Sequence, residues 1–244
     1  MQLFFEKKEL KENKLALTVD RYHYLSRVKR VQKGETLAII IQQTQYTIKV
    51  SKIDSQYLYF NTLAKKELTP QKLNISLIQC LPKHTKMDTI IDQATQLGVS
   101  HIYPIESERS IVKWTQTKKE KQLQRWKAIS QQACQQSQQN TYPTIAPIES
   151  LQLFCNSFTA NDYNLCIVPW EAETKYSLKA HLTKIKPKKN YKIALFIGPE
   201  GGISNTEITQ LKTLNFSPIS LGTHIYRTEI AGVITLSQII YALS

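Results

Sequence analysis

The chain has 244 residues, of which 41% are hydrophobic and 21% charged. That is enough for one large domain or two smaller ones with a real core, which excludes a globally disordered chain. Lysine and arginine number 32 against 19 acidic residues, a net charge of +13, and such a surplus favours a polyanionic partner, nucleic acid ahead of a membrane surface. Apolar runs such as Leu37–Ile41 and Ile193–Ile197 are strand-sized, far short of the roughly 20 residues of a membrane span. Met1–Phe5, followed by Glu6, Lys7 and Lys8, has neither a basic n-region nor a long apolar stretch, so no signal peptide is expected. Cys80, Cys134, Cys155 and Cys166 show no CxxC pair and no zinc spacing with the five histidines. Reduced thiols in a cytoplasmic protein without a metal site are therefore expected.

In chain order, the first ~70 residues read as β-rich. Lys14–Val19, Thr36–Ile41, Tyr46–Val50 and Tyr57–Phe60 are short β-branched or aromatic runs between polar turns, a spacing that suggests a small barrel. The basic segment Arg21–Lys33 between the first two could hold a short helix. Lys65–Lys72, with Pro70, is the candidate domain boundary. From Leu73 the pattern becomes strand–helix alternation, predicting an α/β domain with a mainly parallel sheet. Asn74–Cys80, Ser100–Ile105, Leu165–Val168 and Lys192–Ile197 read as strands. Met87, Ile90, Ile91, Ala94 and Leu97 recur at helical spacing, with Gly98 where a helix-terminating glycine belongs. Helices are also expected over Lys118–Gln138, Asn205–Asn215 and Thr228–Ala242, with a short strand ending near Leu221. The low-complexity run Gln131–Asn140 reads as a helix end, because Trp126, Ile129 and Ala133 keep a periodic apolar face.

Three of the chain's seven glycines fall within Gly198–Gly202. A buried strand runs into Gly198-Pro199-Glu200-Gly201-Gly202, and Ser204 with Glu207 has capping-box spacing for the helix that follows. Glycines allow a ligand to approach the backbone closely, and the C-terminal end of a parallel strand is where open α/β sheets bind ligands. The loop is neither a Walker loop nor Gly-x-Gly-x-x-Gly, which removes the support for kinase and dehydrogenase readings. A second constellation, Leu221 to Ala231, places Arg227 and Glu229 at the start of the last helix. A cation there gains nothing from the helix dipole, so Arg227 points to function. His224 is a candidate base. In the first domain Arg21, Tyr22, His23, Tyr24, Arg27, Lys29, Arg30 and Lys33 mix cations with stackable rings, a composition suited to RNA. Lys83, His84, Lys86 and Arg109 add charge near the presumed ligand side.

With these residues in view, the sequence resembles the 16S ribosomal RNA uridine N3-methyltransferase family (ribosomal RNA small subunit methyltransferase E) of the SPOUT superfamily, over nearly the whole chain. The most specific matches are Gly198-Pro-Glu-Gly-Gly-Ile-Ser204 with Glu207, and Leu221-Gly222 with Ile225-Tyr-Arg-Thr-Glu229. Weaker ones are Lys86-Met-Asp, Gln96-Leu-Gly-Val99, Ser107-Glu-Arg109, Ala133-Cys-Gln-Gln-Ser137 and Tyr24–Arg30. The resemblance implies an α/β fold with a SPOUT-type parallel sheet and C-terminal trefoil knot over residues 73–244, preceded by a small PUA-like β-barrel over residues 1–70 that helps hold RNA. Connection rules alone would give an unknotted open sheet. It further implies S-adenosyl-L-methionine in the knot, lined by Val168, Ile197, Gly198, Pro199, Glu200, Gly201, Gly202, Leu221, Gly222, Ile225, Arg227, Thr228 and Ala231. Arg227 and Glu229 would be catalytic, and Arg21, Tyr24, Arg27, Lys29, Arg30, Lys83, Lys86 and Arg109 would contact RNA. The expected partners are 16S rRNA in the small ribosomal subunit and a second copy of the chain. Alternatives are a related methyltransferase acting on another RNA and a non-catalytic RNA-binding relative. Four positions depart from the family pattern: Gln139 for arginine, Gln96 for glutamate, Tyr226 for leucine and Ile230 for threonine. The first domain also lacks the family's Phe-Asp-Gly turn near Ile41–Gln43.

Overall fold

A computed structural model describes residues 2–69, 71–83, 85–112, 114–186 and 189–244. Pro70 and His84, singled out above, lie outside them. The chain divides into two units, Met1–Pro70 and Gln71–Ser244.

The first unit contains β1 (Gln2–Phe5), β2 (Leu10–Lys11), β3 (Lys14–Ala16), β4 (Thr36–Ile41), β5 (Thr44–Ile53) and β6 (Tyr57–Glu67), with inward apolar and outward polar residues alternating in β3, the middle of β5 and the start of β6. They form a six-stranded sheet in the order β1-β4-β5-β6-β3-β2. Only the β1–β4 pair is parallel, and β5 carries two register irregularities against β6. Leu3, Leu15, Leu25, Ile39, Ile48, Leu58 and Phe60 make its core. The expected strand Lys14–Val19 stops at Ala16 because Thr18 accepts a hydrogen bond from the Arg21 N–H and starts α1 (Val19–His23). One π-helical turn follows, with Lys29 N–H donating to the Tyr24 carbonyl. Gln2–Phe5 shows no strand signal in sequence, and β1 forms through its parallel pairing with β4.

The second unit is a wholly parallel sheet flanked by helices. Its elements are β7 (Leu73–Cys80), α2 (Lys86–Gln96), β8 (His101–Glu106), α3 (Gln116–Gln136), β9 (Thr144–Ile145), β10 (Glu149–Ser150), α4 (Leu151–Ser157), β11 (Leu165–Pro169), α5 (Leu178–Leu182), β12 (Tyr191–Ile197), α6 (Asn205–Thr213), β13 (Ser217–Ile219) and α7 (Thr228–Leu243). The strand order is β10-β8-β7-β12-β11-β13, with β9 also on β8. The central strands are apolar on both faces, as sheets covered by helices on both sides require. Ile75, Leu77, Ile193 and Leu195 pack with residues of α2, α3, α5 and α7. Ile78, Cys80, Ala194 and Phe196 face α4 and α6. Gly98 follows the end of α2 with φ +76°, the left-handed conformation that ends a helix. The glutamine run is the end of α3. Gln138 turns the chain at φ +55°, and the Gln139 side chain donates to the Gln96 carbonyl at 2.9 Å. Two of the four family departures thus meet at the C-terminal end of α2. The short helices α4 and α5 are capped by Ser150 and Ser177; each is too brief to show a period in sequence.

Candidate active site

The glycine loop leaves the C-terminal end of β12 and enters α6. Ser204 Oγ accepts from Glu207 N–H at 3.2 Å, and a Glu207 oxygen accepts from Ser204 N–H at 3.0 Å, the expected capping box. The other Glu207 oxygen accepts from Glu108 N–H at 2.8 Å, and Ser204 Oγ donates to Glu108 Oε2 at 2.7 Å. Arg109 donates through Nη1 to the Gly201 carbonyl at 2.9 Å. The turn after β8 therefore laces the outer side of the loop. The glycines are needed for space: a Cβ on Gly198 would lie 2.6 Å from Ile203, and one on Gly202, at φ +73°, would lie 2.5 Å from the Glu171 carboxylate.

The last helix is tied to the same loop. Thr228, buried in the first turn of α7, donates to the Gly198 carbonyl at 2.6 Å and accepts from Gln79 Nε2 at 3.0 Å. Gln79 is fully buried in β7; its Nε2 also reaches the Cys80 carbonyl, while its Oε1 has no hydrogen-bond partner among the described residues. Gln79 is not among the residues the sequence singles out. Its signal was available: a lone amide within the otherwise apolar end of the Asn74–Cys80 strand.

A three-group charge cluster closes the inner side. Lys86 Nζ lies 2.9 Å from Glu200 Oε1 and 3.3 Å from Glu229 Oε2. Lys83 N–H also donates to Glu200. Burial pushes the Glu200 carboxyl up, but the hydrogen bonds from Lys86, from its own backbone and from Lys83 outweigh it and hold the group below the ordinary carboxylate range. Glu200 chiefly, and Glu229 with it, raise the Lys86 ammonium. Glu229 Oε2 is buried, and its described contact is this ion pair rather than an aligned hydrogen bond. Glu229 is thus partnered by Lys86 rather than by its near neighbour Arg227. Arg227 stands exposed at the cap of α7 and makes no ion pair among the described residues.

The structure brings some of the predicted residues together and leaves others apart. Gly198, Pro199, Glu200, Gly201, Gly202, Arg227, Thr228 and Glu229 converge at the strand ends with Lys83, Lys86 and Arg109. Val168 and Ile197 are buried core residues of β11 and β12. Leu221 is half-buried against the same core, Ala231 half-buried on α7, and Ile225 84% exposed. Gly222 takes φ +114°, and the space a Cβ would fill there is open. Arg21, Tyr24, Arg27, Lys29 and Arg30 belong to the first unit. His224 is exposed, its ring 6.5 Å from that of Tyr226. All four cysteines are free and buried, and among the described residues no helix is long and apolar enough to cross a membrane.

A family model described as RNA methyltransferase domain matches residues 69–240. The chain is 31% identical over 219 residues to ribosomal RNA small subunit methyltransferase E of Aquifex aeolicus, spanning 86% of this chain and 87% of that protein. It is 29% identical over 234 residues to the protein of the same name in Bacillus subtilis, spanning 93% and 89%. The crystal structure of a ribosomal RNA small subunit methyltransferase E from Neisseria gonorrhoeae bound to S-adenosyl methionine is similar at a TM-score of 0.82 and 25% identity, over 98% of this chain and 97% of that one.

Proposed function

The chain belongs to the RNA methyltransferase domain family and, within it, to the ribosomal RNA small subunit methyltransferase E proteins, and from that premise we propose that it methylates N3 of a uridine in 16S rRNA at the expense of S-adenosylmethionine. The observation that carries the reading is the Gly198–Gly202 loop, bonded through Thr228 to the helix that bears Arg227. The residues suit such a cofactor. The backbone at Gly222 is bordered by open space, and Gln79 Oε1 is a buried acceptor still without a donor. Gly198–Gly202, Leu221, Gly222 and Thr228 would hold it; Ile225, exposed in this structure, would have to fold inward to join them.

When bound, S-adenosylmethionine supplies an electrophilic methyl group. What remains for the chain is to handle a weakly acidic imide. Removal of the N3 proton spreads negative charge onto the two uracil carbonyls, and a fixed cation stabilises that charge most where water is excluded. Arg227 has no carboxylate partner among the described residues, so its guanidinium is available for this role. Glu229, neutralised by Lys86, leaves Arg227 uncommitted and orients the first turn of α7. Glu200 orients the glycine loop through Lys83 and Lys86.

The finer architecture belongs to the same proposal. The chain passes from β13 at the sheet edge back to the end of β12, a path that supports a trefoil knot, and the six-stranded first unit suits a PUA-like barrel. Ile230 and Tyr241, exposed on α7, suit the interface of a homodimer. The substrate is the small ribosomal subunit, in the cytoplasm. The test incubates the protein and S-adenosylmethionine with small subunits lacking the modification, followed by nucleoside mass spectrometry. N3-methyluridine is the expected product. A different methylated nucleoside would move the reading to another RNA site, and absence of cofactor binding would leave an RNA-binding relative.

A further inference from the structure

The basic segment that the sequence marks for RNA is partly committed within its own unit. Arg21 pairs with Glu9 at 2.8 Å and lies 4.4 Å over the Phe5 ring, and Tyr24 packs against the core. A second set of cations and rings lies on the outer face of the same sheet. Leu15, Leu58 and Phe60 point into the core, so strand alternation turns Lys14, Tyr57 and Tyr59 outward. The register sets Lys14 and Lys52 on either side of Tyr59, and Lys11 opposite Lys14. The two tyrosine rings are 6.0 Å apart. Lys14 Nζ is 4.5 Å from the Tyr57 ring and 5.9 Å from Tyr59; Lys52 is 5.3 Å from Tyr59, and Lys11 is 5.9 Å from Tyr57. Asp54 offsets part of this charge at 3.2 Å from Lys52, while also accepting from the Gln56 and Tyr57 backbone N–H groups.

Three ammonium groups gathered over two partly exposed rings repel one another and are best matched by a polyanion that also offers flat faces. Single-stranded nucleic acid has both. We propose that this β2–β3–β6 face, extended by Lys52 of β5, grips an unpaired stretch of the substrate RNA. Bases stack on Tyr57 and Tyr59 while Lys11, Lys14 and Lys52 meet the flanking phosphates. The inference rests on the RNA-substrate reading above and adds a contact surface separate from Arg21–Lys33.

The test measures RNA affinity directly, with the full chain and isolated small-subunit RNA, beside methyl transfer. The variants are Tyr57→Leu/Tyr59→Leu, which removes the π-faces but keeps bulk, and Lys14→Gln/Lys52→Gln. Stacking losses predict about tenfold weaker binding per ring removed, with cofactor affinity unchanged. The lysine variant should lower the slope of log affinity against log salt by about 0.7 per lysine. RNA affinity within twofold of the parent in both variants overturns the proposal, as does preferential binding to phosphatidylglycerol vesicles that the same substitutions abolish. If the parent binds RNA but transfers no methyl group, the function proposed above fails while the affinities still decide this face. Should the tyrosine variant not fold, the lysine variant decides alone.

Discussion

Thr228→Val is the sharpest perturbation of the site, because it removes one hydroxyl and keeps the shape. That hydroxyl donates to the Gly198 carbonyl at 2.6 Å and accepts from Gln79 Nε2 at 3.0 Å. Leaving the half-buried Gly198 carbonyl without its donor costs about 1–3 kcal/mol. Gln79 Nε2 keeps the Cys80 carbonyl at 2.9 Å, so its loss is a single ordinary hydrogen bond, about 0.5–1.5 kcal/mol. The total is roughly 1.5–4.5 kcal/mol, a fall in melting temperature of roughly 3–18 °C for a unit of this size. Tryptophan fluorescence during urea unfolding is the assay. Trp114, Trp126 and Trp170 all lie in Gln71–Ser244, so the signal reports that unit alone. Thr228→Ser, which keeps the hydroxyl, should lose about 1 kcal/mol for its methyl group. S-adenosylmethionine affinity should fall in the valine variant and stay near the parent in the serine variant. A valine variant within 0.5 kcal/mol of the parent, a threshold set well below the ~1–3 kcal/mol expected for an orphaned carbonyl, would refute the claim that this hydroxyl holds the loop to the helix.

Arg227→Ala should lower turnover about 10²–10³-fold, the usual scale for a removed charge-stabilising donor, with cofactor affinity largely intact by calorimetry; comparable turnover would reject its role. Lys86→Met removes the cation shared by Glu200 and Glu229. The Glu200 carboxyl then titrates higher, so the acid limb of the kcat–pH profile should move to higher pH, while Lys86→Arg should keep it near the parent. Arg109→Ala frees the Gly201 carbonyl and should raise KM for S-adenosylmethionine several-fold, with a smaller change in kcat at saturation. Burial pushes the Cys134 thiol up to about 12 and the Cys155 and Cys166 thiols to about 11, above the usual 9.0. The folded state therefore keeps these thiols protonated while the unfolded chain ionises. Their contribution to stability is complete below about pH 9 and is lost as pH rises toward 11–12. Urea unfolding across that range should show the decline, and thiol reagents at pH 8 should label the native protein slowly and the unfolded protein at all four cysteines.

Much of the local structure was legible because it is written in neighbouring residues. The Ser204–Glu207 box, the Gly98 helix end and the Met87–Leu97 stripe depend on contacts within one or two turns, and each formed where the spacing put it. Elements with an ambiguous short-range signal are not legible in this way. Val19 looked like a strand residue but follows a Thr18 cap, and Leu151–Ser157 is too short to show a period. The β1 residues are apolar without alternation, and only parallel pairing with β4 makes them a strand.

The sequence by itself determined the α/β character of residues 73–244, the position of the glycine loop, and the presence of Arg227 and Glu229 at the start of the last helix. Tertiary structure decided who meets whom there. Gln79 and Thr228 are 149 residues apart, and Lys86 reaches Glu200 and Glu229 only because β12 inserts beside β7 in the sheet order. Arg109 is legible in sequence only as a charge near the ligand side; the fold adds its bond to the Gly201 carbonyl. A charge or an amide declares its chemistry in sequence, but its partner is set by chain crossings that bring distant strands to one edge, and those follow from how the whole sheet buries both of its faces.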